Sequence, residues 1–127
     1  MSSSYRDLRV WQQAMDLVVH VYRLTDGFPK HELYGLTGQI RRAAISIPSN
    51  IAEGKGRRTD RDFSSFLFRA CGSLLELETQ ILLAGRLEYL TESDAVAVLK
   101  STAAVGSALT GLINSLRESA EAAEAGD

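Results

Sequence analysis

One row of residues constrains this chain more than any other. Phe63, Leu67, Ala70, Leu74, Leu77, Ile81 and Ala84 recur at spacings of four and three without a break. Side chains at those spacings share one face of an α-helix, whereas a strand requires alternation at two. The row therefore predicts a helix burying one stripe. Its start is marked by "TDRD" at 59–62. Thr59 supplies a capping hydroxyl, and Asp60 and Asp62 face the positive end of the helix. The helix is expected to end near "GRLEYL".

Three further segments carry the same period. From Tyr5 or Leu8 to Thr25, one row is Leu8, Trp11, Met15, Val18 and Tyr22, and a second is Val10, Ala14, Leu17, Val21 and Leu24. "TDGFPK" stops this helix with Gly27 and Pro29. From about Glu32 to Gly54 the row is Leu33, Leu36, Ile40, Ala44, Ile47 and Ile51. Pro48 falls inside it. Proline lacks an N–H and crowds the carbonyl four residues back, so a kink is expected, with the helix continuing through Ile51. From Thr91, where "TESD" repeats the cap-plus-acid pattern, Ala95, Val98, Thr102, Val105, Leu109, Leu112 and Leu116 follow.

Four helices of roughly 20 to 28 residues on short connections predict an all-α, antiparallel up-down-up-down four-helix bundle. The 127 residues are read as one domain, with a core over about 5–117 and an acidic tail, 118–127, that extends the last helix or frays. The first and third helices carry apolar rows on two sides. The third helix's second row is Phe68, Cys71, Leu75, Glu78 and Leu82. A four-helix core covers one side only, so the surplus predicts a homo-oligomer. Trp11, Phe66 and Phe68 are the candidate interface residues, with Phe66, which lies off both rows, as the anchor.

Composition narrows the function classes. With 45% hydrophobic residues the chain can bury a core without staples. Its single cysteine, Cys71, excludes an internal disulfide. "MSSSYRDLRVWQQ" has no apolar signal region, and no run of about 18 uncharged apolar residues is visible, so a cytoplasmic protein that does not span a membrane is expected. The net charge is −2. Residues 41–69, however, hold seven basic residues against three acidic ones.

That stripe contains the candidate contacts to nucleic acid or another anion: Arg41, Arg42, Lys55, Arg57, Arg58 and Arg61. A basic loop entering a helix start can seat a phosphate. Yet "EGKGRRTDRD" has neither the spacing nor the hydroxyl of a P-loop, and its acids already occupy the helix end, so a solvated corner is the favoured reading. Arg41 and Arg42 point about 100° apart on a helix. One of them is expected to meet Glu76 or Glu78, in the bundle or across a subunit interface, because Glu78 interrupts an apolar row and needs a partner if buried. Asn50 or Ser49 is expected to satisfy a carbonyl freed by Pro48, with Glu53 one turn on from Asn50. His20 and His31 have no metal-ligand spacing, and no nucleophile–base pair appears, so no cofactor, metal, small-molecule substrate or catalytic residue is assigned.

"DLRVWQQA", "FPKHELYGLTGQIRRAAISIPSNIAEG" and "ELETQ" together resemble the 23S ribosomal RNA intervening-sequence protein family, also called four helix bundle proteins, over about residues 5–117. The resemblance implies an antiparallel four-helix bundle that assembles as a ring-like homopentamer, with no known enzymatic activity. It extends to the accessory proteins of diversity-generating retroelements, which are basic and are thought to bind nucleic acid. The chain departs from them in its net charge of −2. Arg41, Arg42, Pro48, Asn50, Glu53, Gly54, Glu76 and Glu78 match the family's signature positions. The expected role is a scaffold or adaptor acting through self-assembly with a protein partner. The alternative is RNA or DNA binding through residues 41–69.

Overall fold

A computed structural model describes residues 4–126, and these form four α-helices, two short 3₁₀ helices (Tyr5–Asp7 and Lys30–Glu32) and no strand. The α-helices are α1 (Arg9–Thr25), α2 (Leu36–Lys55), α3 (Asp60–Arg86) and α4 (Glu92–Ala125). Each helix packs on its neighbours in sequence, and α4 closes back on α1, while no Cα atoms of the diagonal pairs come within 8 Å. The four axes therefore sit at the corners of a square around one core. The α2–α3 pair is the most intimate.

The rows read from the sequence make that core. Every member of the long α3 row is buried, together with Val10, Ala14, Leu17 and Val21 of α1 and Val98, Val105 and Leu109 of α4. Thr59 caps α3 by accepting from the Asp62 amide, and Thr91 caps α4 by accepting from the Asp94 amide, both at 3.1 Å. Residue 88, a glutamate, takes a left-handed φ of 63° and turns the chain between α3 and α4.

Three expectations are corrected. α2 begins at Leu36 rather than near Glu32, because Lys30–Glu32 forms a 3₁₀ turn and the Glu32 carboxylate then accepts from the Leu36 amide at 3.2 Å. The helices span 17 to 34 residues, a wider range than expected, because α4 carries the Ala/Glu tail to Ala125 as helix. Finally, α4 is long and apolar enough to cross a membrane by length and composition, with a window of mean hydropathy 1.6. The window is 28% buried, and Val98, Thr102, Val105, Leu109 and Ile113 of α4 enter the core.

Candidate functional site

The basic corner lies where α2 ends and α3 begins. Gly54 permits it. A Cβ there would stand 2.7 Å from Phe66 Cβ and 3.2 Å from the Phe63 carbonyl oxygen, so only glycine lets the last turn of α2 rest on the first turns of α3. Phe66 thereby becomes a core residue, 7% exposed. This corrects its assignment as an interface anchor. The close approach at Gly54 pulls that side of α3 inward, and a ring off the main row is covered within the protomer. The ring instead orients two cations. The Arg57 and Arg69 guanidinium carbons lie over it, 4.6 and 4.4 Å from its centre. Lys55 Nζ lies 5.8 Å from the centre of the neighbouring Phe63 ring.

Among the described residues Arg57 has one carboxylate partner, Glu53, at 3.3 Å, and Lys55, Arg58, Arg61 and Arg69 have none. The acidic overhang of α4 ends on the same side of the bundle, with Arg117 and Ala120 beside Asp60 and Arg61, but its described residues form no ion pair with the corner. The helix start is not an open anion seat, since Thr59 and two aspartates occupy it.

Arg41 and Arg42 do diverge, but within the protomer neither meets Glu76 or Glu78. Arg41 reaches back to α1. Its Nε donates to Thr25 Oγ1 at 2.9 Å and its Nη2 to Asp26 at 3.1 Å, and its guanidinium lies 4.5 Å from the Tyr22 ring centre. Asp26 is the nearer acid because α2 folds back along α1 immediately after the 26–35 connection. Arg42 is exposed on the outer face of α2, remote from the α2–α3 corner cations in sequence register. Glu76 is exposed and accepts from Gln80 at 3.2 Å, while Glu78 is half-buried and accepts from the Thr102 hydroxyl at 3.1 Å. Glu78 therefore points at α4, not α2, which is why no arginine of α2 can serve it within the protomer.

α2 runs unbroken through the buried Pro48. The Asn50 amide donates to the Ser46 carbonyl at 2.8 Å and to Ser46 Oγ at 3.0 Å. Ser46 Oγ in turn bonds Ser73 Oγ at 2.7 Å. Asn50 is thus a link in a polar seam joining α2 to α3, rather than a partner for the Ala44 carbonyl that Pro48 leaves without its donor.

Two apolar faces remain. On the α3–α4 side, Phe68, Leu75 and Leu82 are 53%, 65% and 56% exposed. They border a groove between the two helices. Its middle section of about 490 Å³ is lined by Cys71, Leu75, Glu78, Thr102 and Gly106. Burial pushes the Cys71 thiol up, the opposite of nucleophile activation. On the opposite edge, Met15, Val19 and Tyr22 of α1 and Ile45 of α2 are exposed. Trp11 is half-buried against the core, with its ring 5.2 Å from that of Tyr5. His20 lines the α1–α4 groove beside Asp16, and His31 is exposed. Among the described residues no group of three His, Cys, Asp or Glu side chains is placed to hold a metal.

Residues 6–111 match the family described as 23S rRNA-intervening sequence protein. No curated protein matches the chain. A solved structure from Bacteroides thetaiotaomicron, described as a protein with unknown function from the S23 ribosomal protein family, superposes with a TM-score of 0.74. The match covers 82% of this chain and 97% of that one at 22% identity, and it speaks for the fold alone.

Proposed function

Because this chain belongs to the 23S rRNA-intervening sequence protein family, we propose for it a non-catalytic, cytoplasmic role as a self-assembling helical-bundle scaffold. The observation that carries this reading is the second α3 row. Phe68, Leu75 and Leu82 stay exposed beside α4 although the protomer's core is complete. A fully buried leucine contributes about 1.5–3 kcal/mol, so a continuous row of this kind is a strong drive to association.

The partner is a second copy. The α1–α2 face, with Met15, Val19, Tyr22 and Ile45, lies on the opposite edge of the square from the α3–α4 groove. Two different apolar faces on one protomer favour a head-to-tail contact, which closes into a ring when each step turns by a fixed angle. The ring-like homopentamer implied by the sequence resemblance is the assembly we propose. Kinship with the retroelement accessory proteins is proposed only through this assembly, since their basic character is absent from a chain of net charge −2.

A complementation experiment tests the two-face arrangement. Met15→Glu and Leu75→Glu should each prevent ring formation. Mixed together, they retain one intact pair of faces and should form a dimer that grows no further. A Met15→Glu chain that assembles like the wild type would show that one face pairs with itself and would remove the head-to-tail reading.

A further inference from the structure

Glu78 interrupts the exposed apolar row of α3, in a groove lined by Cys71, Leu75, Thr102 and Gly106. Its Oε2 accepts from the Thr102 hydroxyl, a neutral donor, at 3.1 Å, and among the described residues no cation pairs with it. Covering that carboxylate without a cation would cost free energy, so a groove that takes up another chain needs the cation from that chain.

Arg42 is the cation that fits. It is exposed, and among the described residues it pairs with no carboxylate. Its Nη1 leans toward Gly38, 3.7 Å from where a Cβ on that residue would stand. Gly38 and Ile45 lie two turns apart on α2, so the guanidinium is turned toward the exposed Ile45 face. Arg23 of α1 lies on the side that carries Asp16 and His20 to the α1–α4 groove, and so faces away. Arg41 stays with Asp26.

Height along the bundle selects the same pair. Ser46 and Ser73 stand level, with their hydroxyl oxygens 2.7 Å apart, and Gly54 stands level with Phe66. α2 and α3 run antiparallel. Ile45 is therefore level with Leu75 and, one turn away, Arg42 with Glu78, to within about one residue's rise of 1.5 Å. Rotation about an axis along the bundle leaves these heights unchanged. It carries the α1–α2 face of one copy onto the α3–α4 groove of the next with both pairs in register.

Resting on the scaffold reading above, we propose that Arg42 of one copy enters the α3–α4 groove of the next and pairs with Glu78, beside an Ile45–Leu75 contact. The apolar row drives association, and the ion pair fixes its register. A slip of one turn leaves Glu78 covered and unpaired, which selects against misaligned copies.

Light scattering over a dilution series, with circular dichroism on each sample, tests the pair. Arg42→Glu and Glu78→Gln should each weaken assembly by about tenfold or more while the helix content stays unchanged. Glu78→Gln keeps an acceptor for Thr102, so its loss is not one of folding. Arg42→Glu/Glu78→Lys should regain most of what Arg42→Glu loses. If that variant misfolds, Arg42→Gln/Glu78→Gln replaces it and should assemble no worse than the weaker of its two single variants. Arg23→Glu should assemble like the wild type. Arg42→Glu chains that assemble as tightly as the wild type, while Leu75→Glu chains fall apart, would overturn the pair and leave the scaffold reading standing. Additive losses in the Gln double variant would also overturn it. A wild type that stays at 13.9 kDa at every concentration would overturn both.

Discussion

Tyr89 donates its hydroxyl hydrogen to Glu32 Oε2 at 2.8 Å and so ties the α3–α4 connection to the turn before α2. The other carboxylate oxygen of Glu32 caps α2 at the Leu36 amide. The two rings at this end, Phe28 and Tyr89, pack 5.6 Å apart. One glutamate thus starts a helix and locks two connections together.

That arrangement sets a pH dependence. The Tyr89 hydroxyl and then the Leu36 amide hold the Glu32 carboxyl below its ordinary value of 4.5. A group depressed in the folded state stabilises above its unfolded pKa, and the contribution is lost as pH falls through the folded value. The melting temperature should therefore fall on acidification below about pH 4.5, and Tyr89→Phe should flatten that fall. The same bond raises Tyr89 above 10.0, so its contribution is complete below that value and is lost as pH rises through the folded one. Melting curves from pH 3 to 7 for both proteins check the acid limb. Equal acid slopes would contradict the assignment.

Two glycines should respond oppositely to alanine. Gly54→Ala drives a Cβ against Phe66 Cβ and the Phe63 carbonyl, neither of which can swing away, and should cost about 1–3 kcal/mol. Gly72 lies inside α3 and is exposed, and a Cβ added there meets nothing within 4 Å. Gly72→Ala should stabilise by about 0.5–1 kcal/mol. Urea unfolding of both variants measures the difference in sign.

The adjacent arginines should separate as cleanly. Arg41→Ala removes donors from the buried Thr25 and from Asp26 and should destabilise by about 1–2 kcal/mol. Arg42→Ala, on an exposed side chain, should stay within about 0.5 kcal/mol. Glu78→Gln keeps an acceptor for the Thr102 hydroxyl, so it should leave the unfolding midpoint nearly unchanged. A loss of about 3 kcal/mol or more there would restore the buried ion pair expected from the sequence. Chemical denaturation of the three variants beside the wild type, each diluted to the dissociated chain, gives all three differences.

The helices were legible because their signals are local. Thr59 and Thr91 precede acids, and the α3 row repeats from Phe63 to Ala84 without interruption. The tertiary partners were less so. Arg41 pairs with Asp26, which in the sequence reads only as part of a helix stop. Phe66 lies off both rows of α3, and its burial depends on Gly54 in another helix. The glycine before "KGRR" was the available clue, since a glycine at a helix–helix corner marks close approach. The Glu32 cap likewise required knowing that a 3₁₀ turn folds the carboxylate back toward Leu36.

The central claim is that the exposed α3 row is an assembly surface. The most direct test is the molar mass of the wild-type chain and of Leu75→Glu by size-exclusion chromatography with light scattering at tens of micromolar. A 13.9 kDa protomer should elute as a closed multiple of that mass, about 70 kDa for a five-membered ring, and Leu75→Glu should fall to smaller species while keeping its helical circular dichroism. A wild-type mass of 13.9 kDa at that concentration would contradict the account.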